Sequence, residues 1–87
     1  MDAEVLNGTV TVGDRVAYGV RDGNSGGIRA GVVREVIPYD GRRWDREADG
    51  YVACVYHNLK VEVTHTSGLG RTGRIVTIGT ANVVKLG

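Results

Sequence analysis

Cys54, His57 and His65 are the side chains in this 87-residue chain whose types could support nucleophilic chemistry near neutral pH. A Cys–His pair works only when thiol and imidazole are in hydrogen-bond contact and a third group orients the base. Cys54 and His57 are three positions apart in the apolar run that begins Tyr51-Val52-Ala53-Cys54. A regular strand puts residues three apart on opposite faces. The simpler reading is a small buried cysteine and two solvated histidines. The carboxylates are dispersed, with no pair suited to acid–base work. No nucleophile, base and orienting group can be assembled, so no catalytic residue, metal or cofactor is expected.

Two glycine-rich stretches invite a phosphate reading. Gly68-Leu69-Gly70-Arg71-Thr72-Gly73 has the spacing G-x-G-x-x-G. The dinucleotide fingerprint needs a helix to follow, so that a helix N-terminus meets the pyrophosphate. Arg74-Ile75-Val76-Thr77-Ile78 reads as a strand instead, and no acidic residue follows at the required distance. A hairpin loop is the better account. Asp22 to Gly27 lacks the Lys-Ser/Thr pair of a phosphate-binding loop and reads as a connector, with a weak claim to ligand contact.

The stronger constellation is Arg42-Arg43-Trp44 with Arg46 and the nearby Tyr39. A guanidinium beside an indole can stack a base or grip a phosphate. Trp and Arg are equally the residue types of protein–protein hot spots. Four acids in the same segment, Asp40, Asp45, Glu47 and Asp49, neutralise the arginines. Three roles stay open for Trp44: a cap on the core, a protein anchor or a nucleic-acid contact. Tyr18 and Tyr56 are expected to complete a core with their hydroxyls at its rim, whereas Tyr39 and Tyr51 could join Trp44 in a surface patch. A second, basic set is Lys60, Arg71, Arg74 and Lys85. Residues 1–50 carry seven arginines against nine acids, and residues 51–87 carry these four cations against Glu62. The net charge of +1 is too small to announce a nucleic-acid partner.

The elements that must position these residues read as strands. Valine dominates the apolar residues, and its β-branching favours pleated backbone. Fourteen glycines scattered between the valine runs mark tight turns. Val12, Val16, Tyr18 and Val20 keep a period of two. A second strand over Ile28–Ile37 breaks alternation, which predicts a bulge or bend near Val33–Glu35. Pro38 is expected to end that ladder, and residues 38–50 to form a long polar loop. Tyr51–Tyr56 and Leu59–His65 follow as strands, with His57-Asn58 either a tight turn between them or a bulge inside one long strand. Arg74–Ile78 and Val83–Leu86 close the chain, joined by a single turn. Residues 1–9 are expected as a loose arm or a short edge strand.

One domain, residues 1–87, is all that this length supports, and it buries only about 60–65% of its unfolded surface. A single cysteine forms no internal disulfide and fits a reducing cytoplasm. No secretory signal is visible, and no apolar run approaches the ~20 residues of a membrane span.

The run Gly13-Asp14-x-Val16, then Gly31-x-Val33-x-x-Val36, then Ala81-Asn82-Val83-Val84-Lys85-Leu86 resembles the SH3-like barrels of the KOW type. The resemblance covers residues 12–37 and 74–86. It implies an all-β fold, a single small barrel of five to six antiparallel strands. The chain as a whole also resembles small accessory proteins encoded by actinobacterial phages, on Val12-Gly13-Asp14-Arg15-Val16-Ala17-Tyr18 and Leu59-Lys60-Val61-Glu62-Val63. That resemblance implies a protein of the host cytoplasm. The resulting expectation is a non-catalytic module docking on a host or phage protein through Tyr39, Arg42, Arg43, Trp44 and Arg46. The alternatives are a KOW-like barrel binding RNA or DNA through Lys60, Arg71, Arg74 and Lys85, and a structural homo-oligomer.

Overall fold

The computed structural model describes residues 1–22, 25–67 and 71–87. Among them the protein is all-β. The strands are β1 (Ala3–Val5), β2 (Gly8–Val10), β3 (Arg15–Asp22), β4 (Ser25–Asp45), β5 (Gly50–Thr66), β6 (Ile75–Gly79) and β7 (Val83–Leu86). β1 and β2 form a hairpin, and the other five form an antiparallel sheet in the order β6-β5-β4-β3-β7. The two edge strands, β6 and β7, are consecutive in the chain. Residues 80–82 alone join them, so the sheet must curl to bring its ends within one turn of each other. Val83 N donates to Thr80 O at 3.3 Å in that turn. β6 and β7 share no ladder, and the sheet is open along that seam.

The turn before β3 shows why Gly13-Asp14 belongs there. Gly13 has φ +97°, a backbone region that glycine enters without a steric penalty. Asp14 Oδ2 accepts from Thr11 N at 2.9 Å and its amide donates to Thr11 O at 3.1 Å. The turn is then stitched to β4, with Gly13 N donating to Val33 O and Val33 N donating to Asp14 O.

Alternation places Val16 and Tyr18 of β3, Val33 of β4, Leu59 and Val61 of β5, and Val83 of β7 in one core. The β1–β2 hairpin covers it with Ala3 and Val10. Residues 1–9 are therefore not a loose arm. Leu6 N donates to Val83 O, and the Asn7 side chain does what a neighbouring strand would do for β7. Its Nδ2 donates to Lys85 O at 3.0 Å and its Oδ1 accepts from Lys85 N at 2.7 Å.

Two register shifts bend the sheet, between Ala30 and Gly31 and between Val33 and Glu35. The second is the irregularity that the broken alternation predicts. At the first, a Cβ on Gly31 would overlap the Glu62 carbonyl oxygen and the Val61 side chain. Strand contact there is close enough that only glycine fits.

The largest correction concerns residues 38–50. They are not a long polar loop. β4 runs to Asp45 and β5 resumes at Gly50, in continuous register from Pro38↔His57 to Trp44↔Tyr51 and Asp45↔Gly50. Pro38 does not end the ladder, because β4 has a partner on one side only at that point and an edge tolerates a missing N–H. His57-Asn58 is not a turn: β5 is one long strand, as the second alternative had it, but its register with β4 passes these residues without a bulge. The only loop is the tip, residues 46–49, where Asp45 Oδ1 accepts from Glu47 N at 2.9 Å and Ala48 N at 3.4 Å. Asp49 takes the left-handed conformation, φ +48°, that reverses the chain into Gly50. Polar composition hid this hairpin, since both of its faces lie outside the core.

Asp22 and Ser25–Gly27 are also laddered rather than looped, paired Asp22↔Ser25 through Val20↔Gly27. Gly23, Asn24, Gly68, Leu69 and Gly70, from the two glycine-rich stretches, lie outside the described residues.

Gly31→Ala should lower stability by about 1–3 kcal/mol, the usual penalty for forcing atoms into packed space. That corresponds to at least about 4 °C in Tm for a domain of this size. An unchanged melting curve would show that β4 and β5 do not approach as closely as described.

Candidate functional site

Beyond the core, β4 and β5 continue as a two-stranded arm. Eight paired rows, Pro38↔His57 to Asp45↔Gly50, have neither β3 nor β6 beside them. At ~3.3 Å per residue the arm is about 25 Å long. It stretches the molecule to 45 × 32 × 20 Å and its radius of gyration to 14.5 Å, against about 12 Å for a compact domain of 87 residues.

Cross-strand partners share a face, so the register sorts the arm's side chains. Pro38, Asp40, Arg42 and Trp44 lie with His57, Val55, Ala53 and Tyr51. This face is continuous with the core-facing positions Val36 and Leu59 of the same ladder, so we call it the inward face. Tyr39, Gly41, Arg43 and Asp45 lie with Tyr56, Cys54, Val52 and Gly50 on the outward face.

The five contact candidates are thus only partly brought together. Trp44 and Arg42 share the inward face, Tyr39 and Arg43 the outward face, and Arg46 sits in the tip. Trp44 does not cap the core; it is 55% exposed, and Tyr51 beside it is 70% exposed. Their rings meet edge to face, with centroids 5.4 Å apart and an interplanar angle of 84°. Tyr39 does not join them. It packs on Tyr56 with centroids 5.7 Å apart, because positions 39 and 44 fall on opposite sides of the pleat.

Tyr56 is also not a core residue. Its ring occupies the space where a side chain at Gly41 would stand, and its hydroxyl donates to Arg42 O at 3.4 Å. The neighbouring Cys54 thiol, helped by partial desolvation, raises its ionisation above the ordinary phenol range. The ring thereby fills the gap that a glycine leaves in the arm. Tyr18, by contrast, is a core residue at 6% exposure, as expected, but its hydroxyl is buried rather than at a rim and has no partner among the described residues.

Cys54 and His57 fall on opposite faces of the arm. An open groove of about 690 Å³ runs along the β5 side of the arm, between Ala53–His57 and the N-terminal Asp2, Glu4 and Thr9. Its charges are mixed, with Arg43 facing two acids. Among the described residues no group of three or more His, Cys, Asp or Glu could hold a metal ion. No helix among them is long and apolar enough to cross a membrane.

The basic set is divided. Lys60 pairs with Glu35 at 3.4 Å and Lys85 with Asp14 at 3.7 Å. Lys60 stands opposite Glu35, between inward-facing neighbours, while Lys85 stands opposite the buried Val16. They project from opposite faces of the sheet. Arg71 and Arg74 are exposed near the start of β6, where Arg74 O accepts from Val63 N. The feature that sequence reasoning missed was the arm itself. Its signal was the alternation Tyr39, Gly41, Arg43 against Asp40, Arg42, Trp44, hidden because neither set is uniformly apolar.

No protein-family model matches the chain, and no curated protein or solved structure matches it.

Tyr56 should ionise above the ordinary phenol range, read from phenolate absorbance. Its proton is held more tightly in the folded state, so its contribution to stability is present below the ordinary phenol range and lost as pH rises through the folded value. Cys54→Ala should move that ionisation back toward the ordinary phenol range. Identical titration curves for the two proteins would show that the Cys54 contact does not hold.

Proposed function

We propose that the protein is a non-catalytic interaction module whose arm docks on another protein surface. The observation that carries this reading is the exposed Trp44–Tyr51 pair near the arm's end. Large aromatic side chains held in a fixed geometry, with polar groups around them, are what interface hot spots use. Both are anchored by backbone pairing on a rigid ladder, so little ordering entropy is lost on contact. The mixed charges of the arm, Asp40, Arg42, Arg43, Asp45, Arg46 and Glu47, suit a polar rim and give little general attraction to phosphate.

For the body, the strand order and the single turn between β6 and β7 support an SH3-like barrel reading, with the β6–β7 seam left open. In that reading the body is the frame and the arm, an elongated hairpin of the sheet, is the working part. The phage resemblance extends the proposal to a host or phage protein as partner, met in the host cytoplasm. Nucleic-acid binding is the weaker reading, because Lys60 and Lys85 are on opposite faces and paired with acids.

Trp44→Ala tests the proposal. Tagged protein, co-expressed with an untagged copy and captured after nuclease treatment, should retain a discrete protein, the untagged copy included. The variant should retain none of it. Its far-UV spectrum should remain β-type, and its stability should change by no more than about 1.5 kcal/mol, the worth of an aromatic pair. Undiminished capture by the variant would overturn the reading. So would retention of nucleic acid alone, with an affinity that falls steeply with salt.

A further inference from the structure

The inward face of the arm continues the core face of the sheet past the point where anything covers it. Val36 and Leu59 are covered; Pro38, Trp44, Tyr51, Ala53 and Val55 follow on the same side and are exposed. Val55 is 59% exposed. The chain presents 6112 Å² of surface, whereas a compact monomer of 9.3 kDa presents about 5,000 Å². The excess, about 1,100 Å², is spread over both faces and both edges of the arm; one partner in a stable protein–protein interface gives up about 800 Å².

The pattern of that face says what covers it. Along β4 it reads Pro38, Asp40, Arg42, Trp44, and along β5, from the base of the arm outward, His57, Val55, Ala53, Tyr51. We propose that a second copy of this chain covers it, the two arms packing inward face to inward face and antiparallel, about a two-fold axis through the Gly41–Cys54 row. This deepens the docking reading above and rests on it. A two-fold axis at that row sets β4 over β4 with its direction reversed. Asp40 then faces the partner's Arg42, and Arg42 faces the partner's Asp40. Val55 faces the partner's Ala53, large against small. Trp44 lies over the partner's Pro38, and Tyr51 over the partner's His57.

Every row of the face has a compatible opposite under this one operation, and each contact occurs twice, as an isologous interface requires. A two-fold along the arm instead, β4 over β5 with the arms parallel, sets Asp40 against Val55 and Arg42 against Ala53, and a perpendicular axis through either of those rows sets Asp40 over Asp40 or Arg42 over Arg42. The surface at the axis is concave. An open depression of about 510 Å³ lies over Gly41 and Cys54, walled by Asp40, Arg42, Ala53 and Val55. It gives the opposing Val55 side chain room beside Ala53. Because the axis lies midway along the arm, each tip reaches the base of the partner's arm, and the contact extends toward its body.

Sedimentation velocity across a concentration series of the purified protein, compared with charge-swapped variants, tests this. The wild type should sediment as a dimer. Asp40→Arg and Arg42→Asp should each weaken the dimer by at least about tenfold, since each variant sets like charges opposite one another twice. The double variant D40R/R42D should restore it. All these positions are exposed, so each variant should keep its β-type spectrum. A monomer at every concentration, or a dimer indifferent to both single swaps, would overturn the proposal. If the protein is monomeric and Trp44 is still required to retain a different protein, the self-pairing fails while the arm's docking role stands. If Trp44→Ala leaves all capture intact, both fail.

Discussion

Arg34 is one residue more than its partner strand can match, and the rest of the ladder inherits the consequence. Val33 faces Val61 inside the core, Glu35 faces Lys60 outside it, and Val36 faces Leu59 inside again. The extra residue turns the pleat over, so even-numbered positions of β4 point inward from Val36 onward. Without it, Ile37, Tyr39, Gly41 and Arg43 would take the inward positions. The bulge also tightens the local twist where the curved sheet gives way to a free arm. Arg34 meets Glu62 at 3.3 Å, a half-exposed pair that contributes little to stability but lies beside the bend.

The body is self-sufficient in a way the arm is not. Its core is small and built largely of valine, but the N-terminal hairpin covers it, and short polar fixings hold the hairpin down. The most economical of these is Asn7, whose one amide group satisfies both a donor and an acceptor of β7. Such an edge is poorly suited to receiving another strand. The arm presents both its faces and both its edges, and its Trp44–Tyr51 and Tyr39–Tyr56 pairs are the only aromatic contacts among the described residues. Apart from Tyr18, the aromatic side chains stand where they do nothing for the core.

The all-β class, the Gly13-Asp14 turn, the bulge near Val33 and the bounds of β7 were legible in the sequence because each rests on a local rule. Asp and Gly make turns, β-branched residues make strands, and a broken alternation marks an extra residue. The arm was not legible for an equally physical reason. Strand recognition reads contrast between a buried and an exposed side, and a ribbon outside the core has no such contrast. Asp40, Arg42 and Arg43 therefore looked like loop residues, and Pro38 like a terminator. The site residues were found by type, but their grouping was wrong for Tyr39, since parity means nothing until a segment is known to be a strand. Tyr56 was expected in a core because tyrosine on a strand usually has one to enter. Here its ring replaces the side chain that Gly41 lacks.

The arm's two strands run without interruption into the middle of the body's sheet, flanked there by β3 and β6. This has a mechanical meaning. A pull on the tip, directed along the arm, loads the β3–β4 and β5–β6 ladders lengthwise, so their hydrogen bonds share the force and must fail together. A hairpin attached through a loop would instead peel open one bond at a time. Whatever holds the end of this arm can drag the whole body behind it before the sheet gives way.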